Sequence, residues 1–422
     1  MLRNLLSTTS ARLIIAVINL SIVWISARFL GAEILGTISL IILGISIIQL
    51  FTAVLAGSSL VYQVSRHPLA ELLIIAWIWI LIISPVVWLL LSAFSLIPAG
   101  FEVDVLILSV IGGIVTVNQN VFLGREKVNL FNILAVLQSL IVFVSLVILV
   151  VYKKWLTTDA YVTAQYISLA ITALTGTLLN LPSLRNFRIP KTIIIREAFR
   201  FGGFLQAASI MQLFNYRLSY YLIEKFFDRA TLGVFSLGVQ ITESVWIISK
   251  SMAVLLYSKL SNNRNDEYAV RLTLNFIKAT AMVTLLILLM IFMLPEGLFI
   301  FIFRSEFSGL TTVIQSLSPG IIAVAVSLMY SHYFSGNGKP MHNTVSSGLG
   351  LVVTIVLGLT LIPIMGTTGA GITASMSYLV SMMYQAYIFK TYTGVTIKSY
   401  LPGKNDYLQV KSELKALIKA SG

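Results

Sequence analysis

The sequence predicts an all-α integral membrane protein, with about twelve transmembrane helices in two parallel six-helix lobes around a central cavity. Three observations predict it. Of the 422 residues, 57% are hydrophobic and only 11% charged. A soluble domain carries about 25% charged residues, so lipid must cover much of this surface. The apolar runs are continuous and long enough to cross a bilayer as helix, which takes about 20 residues. A transmembrane β-barrel would instead show alternating segments of about 10 residues. Finally, the two halves of the chain resemble each other at corresponding places.

Spans are expected at 5–27, 35–63, 71–97, 103–123, 129–151, 158–182, 197–222, 230–258, 271–294, 308–334, 341–363 and 367–390. The breaks carry glycine, proline or charge, as at Gly31-Ala32-Glu33, Pro98-Ala99-Gly100, Gly124–Lys127 and Gly336–Pro340. Residues 5–27 form a full-length span with no small-x-small site behind them, so no cleavable signal is expected. The outer loops are expected to stay within about ten residues, with no inserted soluble domain. The first lobe is placed at 1–182, a basic cytoplasmic linker at 183–196, the second lobe at 197–394 and a basic cytoplasmic tail at 395–422. Within the tail, 408–419 mixes leucines with Lys411, Lys415 and Lys419 and reads as a short amphipathic surface helix or a frayed end.

Orientation follows from the basic residues. With the N-terminus inside, nineteen of the 29 Lys and Arg fall in cytoplasmic segments, six in outer segments and four within spans. This is the positive-inside pattern of a cytoplasmic membrane protein, and an even span count puts both termini in the cytoplasm. The net charge of +13 therefore reflects helix ends at a membrane rather than nucleic-acid binding. There is no cysteine, which excludes disulfides, thiolate metal sites and thiol nucleophiles. His67, His332 and His342 have no metal-ligand spacing, so no metal or cofactor is expected.

The repeat is local. Phe29–Leu40 and Phe226–Leu237 share five of twelve positions, including Leu35-Gly36 with Leu232-Gly233, at an offset of 197. Phe122-Leu-Gly124 through Lys127 matches Phe334-Ser-Gly336 through Lys339 at an offset of 212. Both pairs fall on equivalent spans and the same membrane side. Six spans per half then give parallel lobes related by an axis along the membrane normal.

Ionisable residues inside spans are costly and mark function by default. Five occur: Arg12, Arg217, Glu243, Lys250 and Lys278. Span eight carries Ser236, Gln240, Glu243, Ile247 and Lys250 at spacings of four and three, one polar helix face that should meet a cavity. A structural Glu243–Lys250 pair is the competing reading. At seven residues apart the two sit about 10 Å apart along the axis, which strains a direct contact. Arg12, Asn19 and Ser26 share one face of span one, and Arg12 also has the option of snorkelling inward. Gln206, Gln212, Asn215 and Arg217 mark span seven; Arg217 lines the cavity or pairs with Glu224. Lys278 lines the cavity or snorkels. Asn118, Gln119 and Asn120 form a polar patch, of which at most two can face one cavity. Four cations against one anion suit an anionic substrate such as a phosphate.

The chain resembles the Wzx-type O-antigen and oligosaccharide flippases of the multidrug/oligosaccharidyl-lipid/polysaccharide exporter superfamily. The resemblance rests on Phe29–Gly36, Phe122–Lys127, Asn215-Tyr216-Arg217 followed by Leu232–Ser236, and the Gly336–Pro340 turn, and it covers nearly the whole chain. The order and spacing of these short motifs carry more than any one of them. The resemblance implies two six-helix lobes and a cavity lined by basic residues. It implies ion-coupled movement, by H+ or Na+, of a polyprenyl-diphosphate-linked oligosaccharide to the outer leaflet of a bacterial cytoplasmic membrane. It places the family's intramembrane arginine at Arg217. Arg12, Lys250 and Lys278 take cavity-cation roles by position, with Asn19, Asn215 and Gln240 as polar lining, and Glu243 becomes the ion-coupling candidate. Expected partners are the anionic glycolipid, membrane lipids and the polysaccharide polymerase and chain-length machinery, for a monomeric protein. The sequence has no room for the thirteenth and fourteenth spans of the peptidoglycan-precursor flippases. The competing readings are a cation-coupled drug or metabolite antiporter and a membrane enzyme. The enzyme is disfavoured because glycan polymerases and ligases place their acid–base groups on large outer loops, whereas Glu102 and Asp104 sit in a short turn.

Overall fold

The computed structural model describes residues 2–181, 192–261 and 266–400. The predicted linker as far as residue 191, and the tail from 401 with its surface helix, lie outside them. Within the first lobe the chain forms α1 (Leu2–Ile25) with a π-turn at Ser26–Leu30, α2 (Ala32–Ala56), α3 (Ser58–Gln63), α4 (Leu69–Ala93), α5 (Glu102–Gly124), α6 (Val128–Val147) with a π-turn at Ile148–Tyr152, and α7 (Thr158–Asn180). The second lobe contains α8 (Thr192–Phe226), α9 (Arg229–Ser244), α10 (Trp246–Ser261), α11 (Asp266–Phe292), α12 (Glu296–Phe303), α13 (Leu310–Gly336) and α14 (Met341–Thr393).

Ten helical segments among the described residues are long and apolar enough to cross a membrane. One of them, α14, makes two crossings. Its 53 residues would run about 80 Å if straight, against a hydrocarbon core of about 30 Å. Gly366 breaks it at φ 56°, ψ −131°, a conformation that tolerates no β-carbon. The two arms then return antiparallel. Ser346 and Ser381 each donate to the other's carbonyl at 3.0 Å, and Gln385 donates to Asn343 at 3.2 Å. The remaining crossing is α8, whose Gln206, Gln212, Asn215 and Arg217 make it too polar for lipid. It packs against α2, α9 and α14 instead. Among the described residues twelve passes in two lobes result. Isolated hydroxyls inside these helices satisfy themselves on the preceding turn, as do Ser39, Ser109, Thr172 and Thr273, because hydrocarbon offers no partner.

Three details differ from the sequence reading. The second span breaks at Gly57, where Asn120 Nδ2 donates to the freed Ala56 carbonyl at 2.7 Å. The eighth breaks at Val245, whose N–H turns back to the Thr242 carbonyl at 3.2 Å. The connection between α11 and α13, residues 293–309, is longer than the expected ten-residue limit on outer loops. It folds into α12 and a 3₁₀ turn at Ser305–Phe307.

The lobes meet most closely where α2 crosses α9. A β-carbon on Gly36 would collide with the Arg229 carbonyl, and one on Gly233 with the Ala32 carbonyl. Both equivalences, Gly36 with Gly233 and Ala32 with Arg229, carry the offset of 197. The contact is therefore reciprocal, as across a two-fold axis. The long connection of the second lobe reinforces this end: Glu306 Oε2 accepts from the Ala32 N–H at 2.9 Å and Arg28 donates to the Phe301 carbonyl at 3.0 Å. Asp228 caps α9 by accepting from the Thr231 N–H at 2.7 Å, which holds its carboxyl below the usual carboxylate range. That contribution is present above the ordinary carboxylate pKa and is lost only as pH falls through the depressed value.

At the opposite end, where α1 begins and α14 finishes, the lobes touch on one side. Gly202 of α8 packs on the Val54 carbonyl, Gln206 donates to the Ala53 carbonyl at 3.4 Å, and His67 lies 3.5 Å from Glu197. On the other side a cavity remains between α1 and α10.

Gly233→Val is expected to destabilise the detergent-purified protein by about 1–3 kcal/mol, the usual cost of overpacking, read as a lower Tm. Gly203→Ala, where an added β-carbon meets nothing within 4 Å, should leave Tm nearly unchanged.

Candidate functional site

The polar face of the eighth span divides among four environments. Ser236 is fully buried and donates to the Gly233 carbonyl at 3.0 Å, within its own helix. It therefore lines no cavity, contrary to the sequence expectation. Gln240 opens into a cavity of the first lobe. Glu243 is held in an ion pair. Ile247 and Lys250, beyond the break at Val245, reach the cavity between the lobes.

Glu243 pairs with Arg217. The guanidinium donates from both terminal nitrogens to both carboxylate oxygens, each at 2.7 Å. Neither side chain exceeds a quarter exposure. This planar bidentate match is the strongest geometry available to the two groups. It corrects the alternatives drawn from spacing alone: Glu243 is not paired with Lys250, nor Arg217 with Glu224, which meets Arg229 at 3.3 Å. Helix α8 runs beside α9, so a contact between helices outcompetes contacts along one. The Tyr220 ring lies 5.3 Å from the guanidinium. Tyr216, Tyr378 and Trp246 close the surroundings with ring separations of 5.2–6.2 Å. Asn215 is buried beside the pair. It accepts from Thr354 at 2.7 Å and from Ser377, and so ties α8 to both arms of α14. It also edges a small cavity of about 130 Å³ in the second lobe, with Gln212, Ser327 and Gln385.

The interlobe cavity measures about 540 Å³ and is lined by Arg12, Ile247, Lys250, Ser251, Val254 and His332. Arg12 comes from the first lobe and the others from the second. Both Arg12 and Lys250 are exposed, and no carboxylate is among the described residues that line the cavity. The Lys250 ammonium lies 5.7 Å from the Trp246 ring. His332 Nδ1 is 2.9 Å from the Leu328 carbonyl, which requires the proton on Nδ1 and leaves Nε2 as an acceptor when the ring is neutral. Lys278 is half-buried on α11 and does not line this cavity.

A second cavity, of about 340 Å³, sits inside the first lobe and is lined by Asn19, Ser26, Gln138, Gln165 and Gln240 among others. Asn19 and Gln240 thus line one cavity, one from each lobe. The Asn118–Asn120 patch is largely structural. Asn118 donates to Thr177 at 3.0 Å and accepts from Asn180 at 3.2 Å, while Gln119 reaches Gln138 at 3.4 Å. Sequence reasoning missed Gln138, Gln165 and His332 as cavity groups. Each glutamine stands in a span where no run of polar residues and no polar stripe with a charged member marks it, and the histidine is tested only for metal-ligand spacing. Glu306 was missed because its connection was expected to be a bare turn.

No protein-family model matches the chain, and no curated protein matches it. Solved structures do. A multidrug-resistance MATE transporter of the MOP superfamily, in its inward-facing conformation, aligns with TM-score 0.71 at 16% identity, covering 91% of this chain and 98% of that one. The lipid II flippase MurJ, in an inward closed conformation, aligns with TM-score 0.72 at 14% identity over 93% and 88%. A MOP superfamily transporter from Pyrococcus furiosus, described as having a binding pocket of reversed polarity, gives 0.65 at 16% over 92% and 95%. The chain is a multi-pass membrane protein with the fold of these transporters. Within that fold it carries a cation-lined interlobe cavity and the largely buried Arg217–Glu243 ion pair.

Replacing Arg217 or Glu243 singly by Ala strands the partner's charge, and each is expected to cost about 2–4 kcal/mol, toward the lower part of the range for buried pairs because both groups keep some exposure. The double variant should cost at least about 1 kcal/mol less than the sum, measured by denaturation of purified protein.

Proposed function

We propose that this protein is a flippase that moves a polyprenyl-diphosphate-linked oligosaccharide from the inner to the outer leaflet of a bacterial cytoplasmic membrane, for polysaccharide synthesis. The observation that carries this reading is the convergence of Arg12 and Lys250, one from each lobe, on a cavity with no carboxylate among its described lining residues. Two such cations hold a diphosphate in a low dielectric. The prenyl tail stays in lipid while the glycan crosses through the lumen, and no covalent step is needed. The fold shared with the lipid II flippase supports the reading. The excess of basic residues on one side supports cytoplasmic termini.

The coupling ion is H+ or Na+, and Glu243 is the proposed coupling group. Protonating it removes its charge and frees the Arg217 guanidinium, so ion binding and anion binding inside the protein are linked. Arg217, Asn215 and Lys278 then act on the substrate from within the second lobe rather than at the cavity mouth. The protein works as a monomer with membrane lipids around it, and its proposed associates are the polymerase and chain-length machinery. A second reading, a cation-coupled drug antiporter, is favoured by the shared fold of the MATE transporters. The pairing of Glu243 with Arg217 counts against it, because that carboxylate is not free to hold an organic cation.

The test is reconstitution into vesicles with a diphosphate-linked glycolipid, with and without a proton or sodium gradient. Wild type is expected to translocate it, and Arg12→Gln with Lys250→Gln to lower the rate at least tenfold at equal protein. An unchanged rate in the double variant would sink the reading. Gradient-driven dye efflux without glycolipid movement would establish the antiporter instead.

A further inference from the structure

We propose that the cavity inside the first lobe is a binding subsite for an uncharged sugar of the substrate, the unit next to the diphosphate. This rests on the flippase reading and adds what it leaves open, the chemistry of the proximal glycan.

The lining decides the class of ligand. Asn19, Gln138, Gln165 and Gln240 contribute carboxamides, and Ser26 and Ser39 contribute hydroxyls. Among the described residues no lysine, arginine, histidine, aspartate or glutamate lines the cavity. An ion there would lack a counter-charge, and an apolar group would strand the amides. A neutral polyol matches, because each of its hydroxyls both donates and accepts, as carboxamides do. Tyr161 adds a ring to the same wall, an apolar face for the C–H side of a pyranose.

Ser39 donates to the Leu35 carbonyl at 2.9 Å and offers the cavity only its lone pairs; the other polar groups are not used up by the protein. Ser26 is 1% exposed and its hydroxyl has no hydrogen-bond partner, although it lines the cavity. Neither Asn19 nor Gln240 has a hydrogen-bond partner among the described residues. Gln165 spends its amino group on the Tyr161 hydroxyl at 2.7 Å, which leaves its carbonyl. Gln138 spends its carbonyl on Gln119, which leaves its amino group. Donors and acceptors therefore both remain.

Size and position agree. The volume of about 340 Å³ lies at the low end of small-molecule pockets, about 300–1,000 Å³, and suits one or two sugar rings. Asn19 lies seven residues from Arg12, about 10 Å along α1. Gln240 lies ten residues from Lys250, about 15 Å along α9 and α10. The same two helices thus carry the cationic cavity and, one to two sugar lengths further in, the uncharged one. A diphosphate held at the first places its attached sugar at the second.

Because the chain has no cysteine, one introduced thiol reports on one cavity. Ile42, exposed on the wall of the sugar cavity, becomes Ile42→Cys; Ile247, on the cationic cavity, becomes Ile247→Cys. The probes are farnesyl diphosphate and the same lipid bearing a neutral N-acetylhexosamine disaccharide, and the readout is the rate of thiol labelling in purified full-length protein. Both probes are expected to slow labelling of Ile247→Cys at least tenfold. Only the glycosylated probe should slow Ile42→Cys by that factor. Adding Asn19→Leu and Gln240→Leu should abolish protection of Ile42→Cys and preserve that of Ile247→Cys; Asn19→Leu alone, at an exposed side chain, serves if the double replacement fails to purify. Protection at Ile247→Cys without sugar-dependent protection at Ile42→Cys overturns the subsite and leaves the flippase reading standing, as does protection that survives both leucines. Protection at neither thiol by either probe overturns both.

Discussion

The crossing of α2 over α9 at Gly36 and Gly233 is the constraint on which the arrangement of the two lobes depends. Backbone meets backbone there, because neither glycine has room for a β-carbon. Inside a bilayer no hydrophobic effect drives helices together, so close approach through small residues is the main source of packing energy. The reciprocal contact, at one offset in both directions, fixes the pseudo-two-fold relation of the lobes. The Glu306 and Arg28 bonds fasten the same end. With that end closed, the lobes part only at the other. They do so on one side, between α1 and α10, because Gly202 brings α8 onto α2 on the opposite side. The cavity with Arg12 and Lys250 is the consequence.

The repeat shapes the lobes alike but equips them differently. At the offset of 197, Arg217 and Glu243 correspond to Leu20 and Ser46, so the first lobe has no counterpart of the ion pair. At the offset of 212, Gln138 and Gln165 correspond to Gly350 and Ser377. In the second lobe that space is closed: Ser377 donates to Asn215 and, at 2.8 Å, to the Gly350 carbonyl. The first lobe has long amides and an open cavity where the second has small residues, a buried asparagine and a short hydrogen-bond network. At these two helix positions long amides line the larger cavity of the first lobe, and small residues fill the equivalent space in the second, whose own cavity is smaller.

Most of the fold was legible in the sequence because hydrocarbon imposes its own code. Span lengths, the Gly366 hairpin and the glycine repeat follow from the length of the apolar runs and from where glycine interrupts them. The breaks at Gly57 and Val245 were not legible, since each is decided by tertiary partners such as Asn120. The site was legible in composition and not in pairing. Spacing along span eight found Gln240, Glu243 and Lys250, and spacing along span one found Arg12, Asn19 and Ser26. Both faces do reach cavities. Helical periodicity says nothing of which helix lies opposite, however, so the sequence offers Glu243 a cavity or a strained contact with Lys250 and not its actual partner, Arg217 on α8. Counting four cations against one anion likewise treated Arg217 as a free charge. Once it is paired, the free positive charge gathers at the cavity mouth.

That redistribution bears on how an anion passes through such a protein. A translocation path must bind its ligand firmly enough to admit it and weakly enough to release it. Glu243 lies seven residues beyond Lys250, about 10 Å deeper. An unpaired guanidinium at that depth, meeting a phosphate at about 4 Å in an effective dielectric near 20, would attract it by about 4 kcal/mol. That is nearly a thousandfold in dwell time, added to whatever the sugar contacts supply. The bidentate carboxylate cancels most of this well while keeping the guanidinium in place. The mouth, with two exposed cations and no carboxylate among its described lining residues, retains its pull, and on the flippase reading the interior meets the glycan with uncharged amides whose bonds exchange readily with water. On that reading charge selects at entry and neutrality permits passage, and the ion pair is the element that keeps a cationic pathway from becoming a trap.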